Sequence, residues 1–192
     1  LIAGYVQKFK DETHLIVSSD KDFLQLLGNP NVRIATSEGN ADEFRDLSKY
    51  DNDATYFMYQ KKFRGDTGDN VQNAYPKLRE TKIKMAYQGD KFLFENLMKH
   101  EFVVEELKNG QLLQHKYITE KLFKENELLM DLTAQPDYIR ELIDICIEES
   151  IINKSKYSLV NFIKFLGKYD MQNIISNIDR YSALLAAKVR KV

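Results

Sequence analysis

The chain has 192 residues, 43% of them hydrophobic and 30% charged, with a net charge of −1. That length supports one large or two small domains with ample core, and the near-zero total charge is uninformative beside its distribution along the chain. No apolar run approaches the roughly 18 residues of a membrane span, nothing at the N-terminus resembles a secretory signal, and one cysteine excludes an internal disulfide.

Leu1, Ile2, Tyr5, Val6 and Phe9 form a helical apolar stripe, so residues 1–10 are expected to be helical. The stripe is already under way at Leu1, and the chain is read as a piece of a longer protein. Leu15, Ile16 and Val17 then make a short apolar run, the pattern of a strand buried on both faces. Ser19 or Asp20 can cap a following helix over 22–27, which carries Phe23, Leu24, Leu26 and Leu27 and stops at Gly28-Asn29-Pro30. A second strand is expected from Val32 to Thr36, and this order suits the second half of a doubly wound parallel sheet. Ser37 to Asp53, with eight charged residues, reads as a polar surface connection.

Beyond Ala54 the pattern turns helical. Helices are expected at about 55–63, 76–88, 91–107, 117–130, 136–150, 157–166 and 170–187, with 110–116 a linker or short extended piece. Cys146, among Ile143, Ile145 and Ile147, is expected in the core rather than as a nucleophile. The fold class is therefore α/β: a partial parallel, Rossmann-like sheet followed by a mainly α-helical lobe. The expected domains are 1–53 and 54–192.

Two acidic segments carry the chemistry. Asp20 and Asp22 stand where a strand end meets a helix start, the rim at which open α/β sheets bind ligands. Such a pair either holds a hard cation or meets the helix dipole. Forty-four residues after Asp22, the loop Gly65-Asp66-Thr67-Gly68-Asp69-Asn70 offers two more carboxylates. Gly-Asp pairs are ordinary turn chemistry, but two carboxylate pairs together suit magnesium, which prefers oxygen ligands. From Lys61 to Lys91 eight basic residues face four acidic ones, a local charge of +4 beside the loop. A basic stripe next to a carboxylate-bound metal suits a phosphodiester backbone, and a solvated helix face explains the same charges. The three histidines are isolated, and neither a P-loop nor a dinucleotide fingerprint occurs.

VSSDKDFLQLL followed by KKFRGDTGDNV resembles the two downstream metal-binding motifs of the flap endonuclease, or 5′-nuclease, superfamily. The closest likeness is to its T-even-type bacteriophage ribonuclease H branch, which shows an SSDxDFxQL segment, a following Pro-Asn-Val and a GDxxDN loop. Weaker likeness extends through Lys77-Leu78-Arg79, Phe123-Lys124-Glu125-Asn126 and Asn161-Phe162-Ile163-Lys164. The resemblance implies a PIN/FEN-type sheet and hydrolysis of RNA primers or flaps during DNA replication. It implies two Mg2+ or Mn2+ ions, with Asp20, Asp22, Asp66 and Asp69 as metal-binding and catalytic residues. Lys61, Lys62, Arg64, Lys77 and Arg79 would contact the nucleic acid. The implied partners are DNA and RNA–DNA duplexes with a 5′ end or flap, together with replication proteins. The implied location is the cytoplasm of a bacterial host, with no membrane.

Two features depart from the superfamily. The stretch Val71-Gln72-Asn73-Ala74-Tyr75-Pro76-Lys77 lacks the glycines of the usual helix-hairpin-helix, a lack the phage branch shares. The upstream carboxylates of the family are absent, so the chain is expected to be nearly inactive alone and to expose apolar surface of its first helix and strand. A haloacid-dehalogenase-like magnesium phosphatase, which also pairs a strand-end DxD with a downstream acidic motif, and a non-catalytic nucleic-acid-binding module are the alternative readings.

Overall fold

In the computed structural model the first elements are α1 (Ile2–Lys8), β1 (His14–Val17), a 3-10 helix (Asp22–Gly28) and β2 (Val32–Ala35). The residues described are 1–36, 44–108, 111–152, 158–179 and 181–182. β1 and β2 run parallel, with His14 opposite Val32 and Val17 opposite Ala35. The chain is thus mixed α/β, with a small two-stranded parallel sheet. Ala3 and Val6 of α1, Ile16, Leu24, Leu26, Val32, Ile34, Leu47 and Phe57 form one buried apolar cluster against it.

The strand is not buried on both faces, contrary to the expectation from its unbroken apolar run. His14 and Ile16 are buried, whereas Leu15 and Val17 are 63% and 62% exposed. The pleat sends alternate side chains to opposite sides, and among the described residues only one side carries a packed layer. The buried His14 Nε2 lies 2.8 Å from the carbonyl of Phe9, tying the end of α1 to the strand.

The segment after β1 winds as a 3-10 helix rather than an α-helix. Leu24, Gln25 and Leu26 are all buried, and the tight winding brings Gln25 inward. Neither Ser19 nor Asp20 caps this helix. Ser18 Oγ accepts from the Asp20 N–H at 3.1 Å and Asp20 Oδ1 from the Asp22 N–H at 2.8 Å, a local turn that replaces the cap.

α2 (Ala54–Arg64) joins this layer to the helical part. Asp53 caps it, accepting from Thr55 and Tyr56 N–H at 2.8 and 3.2 Å. The Tyr87 hydroxyl donates to the same carboxylate at 2.6 Å, and this bond leads the causes that hold Asp53 below the usual aspartate range. Tyr56 and Phe63 of α2 belong to a second apolar cluster with Ala74, Ile83, Ala86, Leu97, Met98, Leu122 and Phe123.

α3 spans Glu80–Tyr87, shorter than the expected 76–88, because Lys77 sits at φ +60°, which a helix does not accommodate. α4 (Lys91–Met98) also ends early, and residues 99–107 do not continue it. Instead β3 (Glu101–Lys108) and β4 (Gln111–Ile118) form an antiparallel hairpin, Glu101 opposite Ile118 and Lys108 opposite Gln111. The helix expected over 91–107 is therefore borne out only as far as Met98, and its second half pairs with the 111–118 segment as a hairpin. Val103-Val104 favour strand, and Asn109-Gly110 between the strands is the strongest short hairpin signal a sequence carries.

α5 (Thr119–Met130) and α6 (Asp137–Ile152) follow, then α7 (Leu159–Lys168), capped by Ser158, and α8 (Gln172–Ile175). Of the helix expected at 170–187, residues 180 and 183–187 lie outside the described residues, as do 37–43 of the polar connection. The chain divides into two compact units, Leu1–Cys146 and Ile147–Val192. In the second, Ile147 and Leu166 are buried. Cys146 is exposed, not in the core as its apolar neighbours suggested. No described helix is long and apolar enough to cross a membrane.

Candidate metal centre

The acidic loop owes its shape to Gly65, which ends α2 at φ +64° and ψ −163°. A Cβ there would lie 2.5 Å from the Val71 carbonyl oxygen and 2.6 Å from that of Gln72. Only glycine takes this backbone and permits that approach. The chain then doubles back: Asp66 N–H donates to the Val71 carbonyl at 3.0 Å and Val71 N–H to that of Asp66 at 2.7 Å. Asp66 Oδ1 accepts from Gly68 N–H at 2.9 Å, and Asn70 takes the left-handed conformation that asparagine tolerates.

Asp22, at the start of the 3-10 helix, and Asp66 and Asp69, in the loop, each offer a carboxylate oxygen within 4.8 Å of the others. Asp20 is not in this group; its side chain serves the turn that presents Asp22. Three of the four acidic residues singled out from the sequence are thus brought together, and the fourth, two residues before Asp22, is not among them.

The Lys61 ammonium donates to Asp22 Oδ1 and, at 3.0 Å, to Asp66 Oδ2. Burial alone would lower the Lys61 pKa, but the bonds from the two carboxylates outweigh it and the group stays charged above the usual lysine range. The same bond leads the causes that hold Asp66 below the usual aspartate range. Lys61 is therefore part of the acidic centre rather than an outward-facing phosphate contact.

The other basic residues divide. Lys62 is bonded to Glu127, with its ammonium 5.7 Å from the centre of the Phe123 ring. Arg64 meets Glu80 at 3.4 Å. Lys77 and Arg79 are exposed and have no salt bridge among the described residues. Lys61, Lys62 and Arg64 all sit in the last turn of α2, where cations also meet the negative end of the helix dipole.

What holds the two acidic segments together is α5. Asn126, 1% exposed, donates at 2.9 Å to the carbonyls of both Lys62 and Gln72, the two strands of chain flanking the loop. Thr119, fully buried, donates at 2.9 Å to Ala74. At the other end of α5, Gln25 Nε2 donates to the Met130 carbonyl at 2.9 Å, and Gln25 Oε1 accepts from Leu132 N–H at 3.1 Å. Sequence reasoning gave none of these three polar residues a site role. The available signal was a polar residue at a buried position of an otherwise apolar helical stripe, which requires a partner. Asn126→Leu should leave two buried carbonyls without donors, costing about 2 kcal/mol. Urea unfolding measures that loss, and the variant should also bind divalent metal more weakly than the parent chain.

The three carboxylates form a hard oxygen set that fits Mg2+ or Mn2+, and their number leaves coordination positions for water. No protein-family model matches the chain, and no curated protein is significantly similar to it.

Proposed function

We propose that the chain carries part of the metal centre of a 5′-nuclease of the ribonuclease H and flap endonuclease type, acting on phosphodiester bonds of RNA primers or flaps. The supporting observation is the approach of Asp22, Asp66 and Asp69 to within 4.8 Å across 44 residues of sequence. In this reading the two-stranded parallel sheet is the remnant of a PIN/FEN-type sheet, and Asp22 stands at its rim. The acidic loop leaves a helix, α2, whereas the downstream acidic pair of a haloacid-dehalogenase-like phosphatase follows a strand. That difference favours the nuclease over the phosphatase.

Asp22, Asp66 and Asp69 would hold Mg2+ or Mn2+. When bound, such ions activate a water and stabilise the leaving oxygen of an in-line displacement. Gly65 and Asn126 keep the loop carboxylates in place, and Lys61 offsets part of their charge until a metal competes with it. Lys77 and Arg79 face solvent and would meet phosphates of a duplex or flap with little competition from acidic neighbours. Lys62 and Arg64 would have to exchange Glu127 and Glu80 for phosphates.

Three carboxylates are fewer than two ions and a fixed water require, and misplacing reacting atoms by about 1 Å costs on the order of a hundredfold in rate. The chain is therefore expected to bind Mn2+ while cutting a 5′-labelled primer–template duplex barely above background. An Asp22→Asn/Asp66→Asn/Asp69→Asn variant should lose the Mn2+ signal in an electron paramagnetic resonance titration. An unchanged titration would remove the basis of this reading.

A further inference from the structure

Next to Asp22 in the chain, Lys21 helps to line a concavity of about 200 Å³ together with Leu24, Arg45, Asp46, Lys49 and Tyr50. Three cations against one carboxylate leave it a net charge of +2. It contrasts with the basic end of α2, where lysines and an arginine are already paired with acids. Neither Lys21 nor Lys49 has a salt bridge among the described residues, and both are exposed.

Arg45 is held but far from satisfied. Its Nη2 donates to the Ser19 carbonyl at 2.8 Å; its Nε–H is without a hydrogen-bond partner but shut from water, and so from a ligand too, which leaves the Nη edge as the part that can meet a phosphate. A guanidinium carries five N–H donors in a fixed fork suited to phosphate oxygens. Asp46 does not answer this demand: its Oδ1 accepts from the backbone N–H and the hydroxyl of Ser48, at 3.0 and 2.7 Å. The Tyr50 side chain adds a half-buried aromatic wall beside the cations.

The position is as informative as the charge. Lys21 lies between Asp20 and Asp22 in the chain, and Arg45 is anchored to Ser19 in the same turn. A group seated here meets the residue next to Asp22, one of the carboxylates that would hold metal. An internal phosphodiester brings a single negative charge, whereas a phosphate monoester brings about −1.5 to −2 near neutral pH. The +2 of the pocket matches the monoester.

We propose that this pocket seats the terminal 5′-phosphate of a nucleic-acid strand. The proposal rests on the nuclease reading and names the part of the strand that is recognised beside the metal centre. Inorganic phosphate shares the recognised chemistry and is the competing source.

The test uses the whole chain in EDTA, so that the result does not depend on the acidic centre binding metal. Two single-stranded oligonucleotides of one sequence, labelled at the 3′ end and carrying either a 5′-phosphate or a 5′-hydroxyl, are compared by fluorescence anisotropy. The phosphorylated strand should bind about tenfold more tightly, the scale of one charge-assisted hydrogen bond. Lys21→Gln/Lys49→Gln should abolish that difference while the acidic centre still binds Mn2+, no more weakly than in the parent chain; both positions are exposed, so folding should be unaffected. Inorganic phosphate should compete only at concentrations well above the dissociation constant of the strand. Equal binding of the two strands, or a preference that survives the double substitution, would overturn the proposal. Inorganic phosphate binding as tightly as the strand would overturn its assignment to nucleic acid. Loss of Mn2+ binding by the parent chain, with the phosphate preference intact, would instead count against the nuclease reading alone.

Discussion

Gly65→Ala is expected to destabilise the first unit by about 3 kcal/mol, from the left-handed backbone together with a steric clash that has no flexible side chain to absorb it. The added Cβ would meet backbone, the Val71 and Gln72 carbonyls, at 2.5 and 2.6 Å. Relieving the clash requires the 66–71 turn to open, and Asp66 and Asp69 move with it. Mn2+ affinity should therefore fall in parallel with stability. Gly167 supplies the control: it lies inside α7, and a Cβ there meets nothing within 4 Å. Gly167→Ala should be neutral or stabilising by up to about 1 kcal/mol, because alanine loses less backbone entropy in a helix. Urea unfolding of the two variants makes the comparison. Equal effects would mean that the strained geometry at Gly65 is not what shapes the acidic loop.

Lys61→Met is expected to tighten Mn2+ binding by at least tenfold. Two unit charges about 4 Å apart near a protein surface interact by roughly 4 kcal/mol before screening, so removing an ammonium shared by two metal-binding carboxylates leaves ample margin. Isothermal titration of the parent and the variant measures this directly. Identical affinities would show that Lys61 leaves the centre at no cost when metal arrives.

The same substitution has a pH signature. The Asp66 pKa is lowered by folding, so its contribution to stability is present above the ordinary aspartate range and is lost as pH falls through the lowered value. The Lys61 pKa is raised, so its contribution is present below the ordinary lysine range and is lost as pH rises through the raised value. Without metal, the parent chain should exceed Lys61→Met in stability across the neutral range. The gap should close as the pH falls below about 4, where aspartates protonate.

The local parts of the centre were legible in the residues themselves. A short apolar run closed by Ser18-Ser19 placed Asp20 and Asp22 at a strand end, and Gly65 and Gly68 marked a turn around Asp66 and Asp69. Each signal acts within a few residues, through backbone freedom or nearby hydrogen bonds. Asn109-Gly110 was equally local and equally present, but the apolar residues on either side were read at helical spacing. The hairpin Glu101–Ile118 was missed for that reason.

Other features depend on which surfaces meet once the chain is folded. Nothing near Asp20 distinguishes it from Asp22, yet one carboxylate closes its own turn and the other meets Lys61, 39 residues away. The +4 segment read as a phosphate-facing stripe, but Lys61, Lys62 and Arg64 each found an acidic partner when α2 packed. Leu15 and Val17 belong to the same apolar run as Ile16, and their exposure depends on which face of the strand receives a layer. Asn126, 104 residues after Asp22, holds the acidic loop only because α5 lies across the end of α2. The sequence by itself determined where carboxylates, turns and most helices fall, because backbone preference and capping are settled by near neighbours. Tertiary structure alone decided which charges pair, which apolar faces are covered and which buried amide braces the site, because those energies exist only between segments that the chain order keeps far apart.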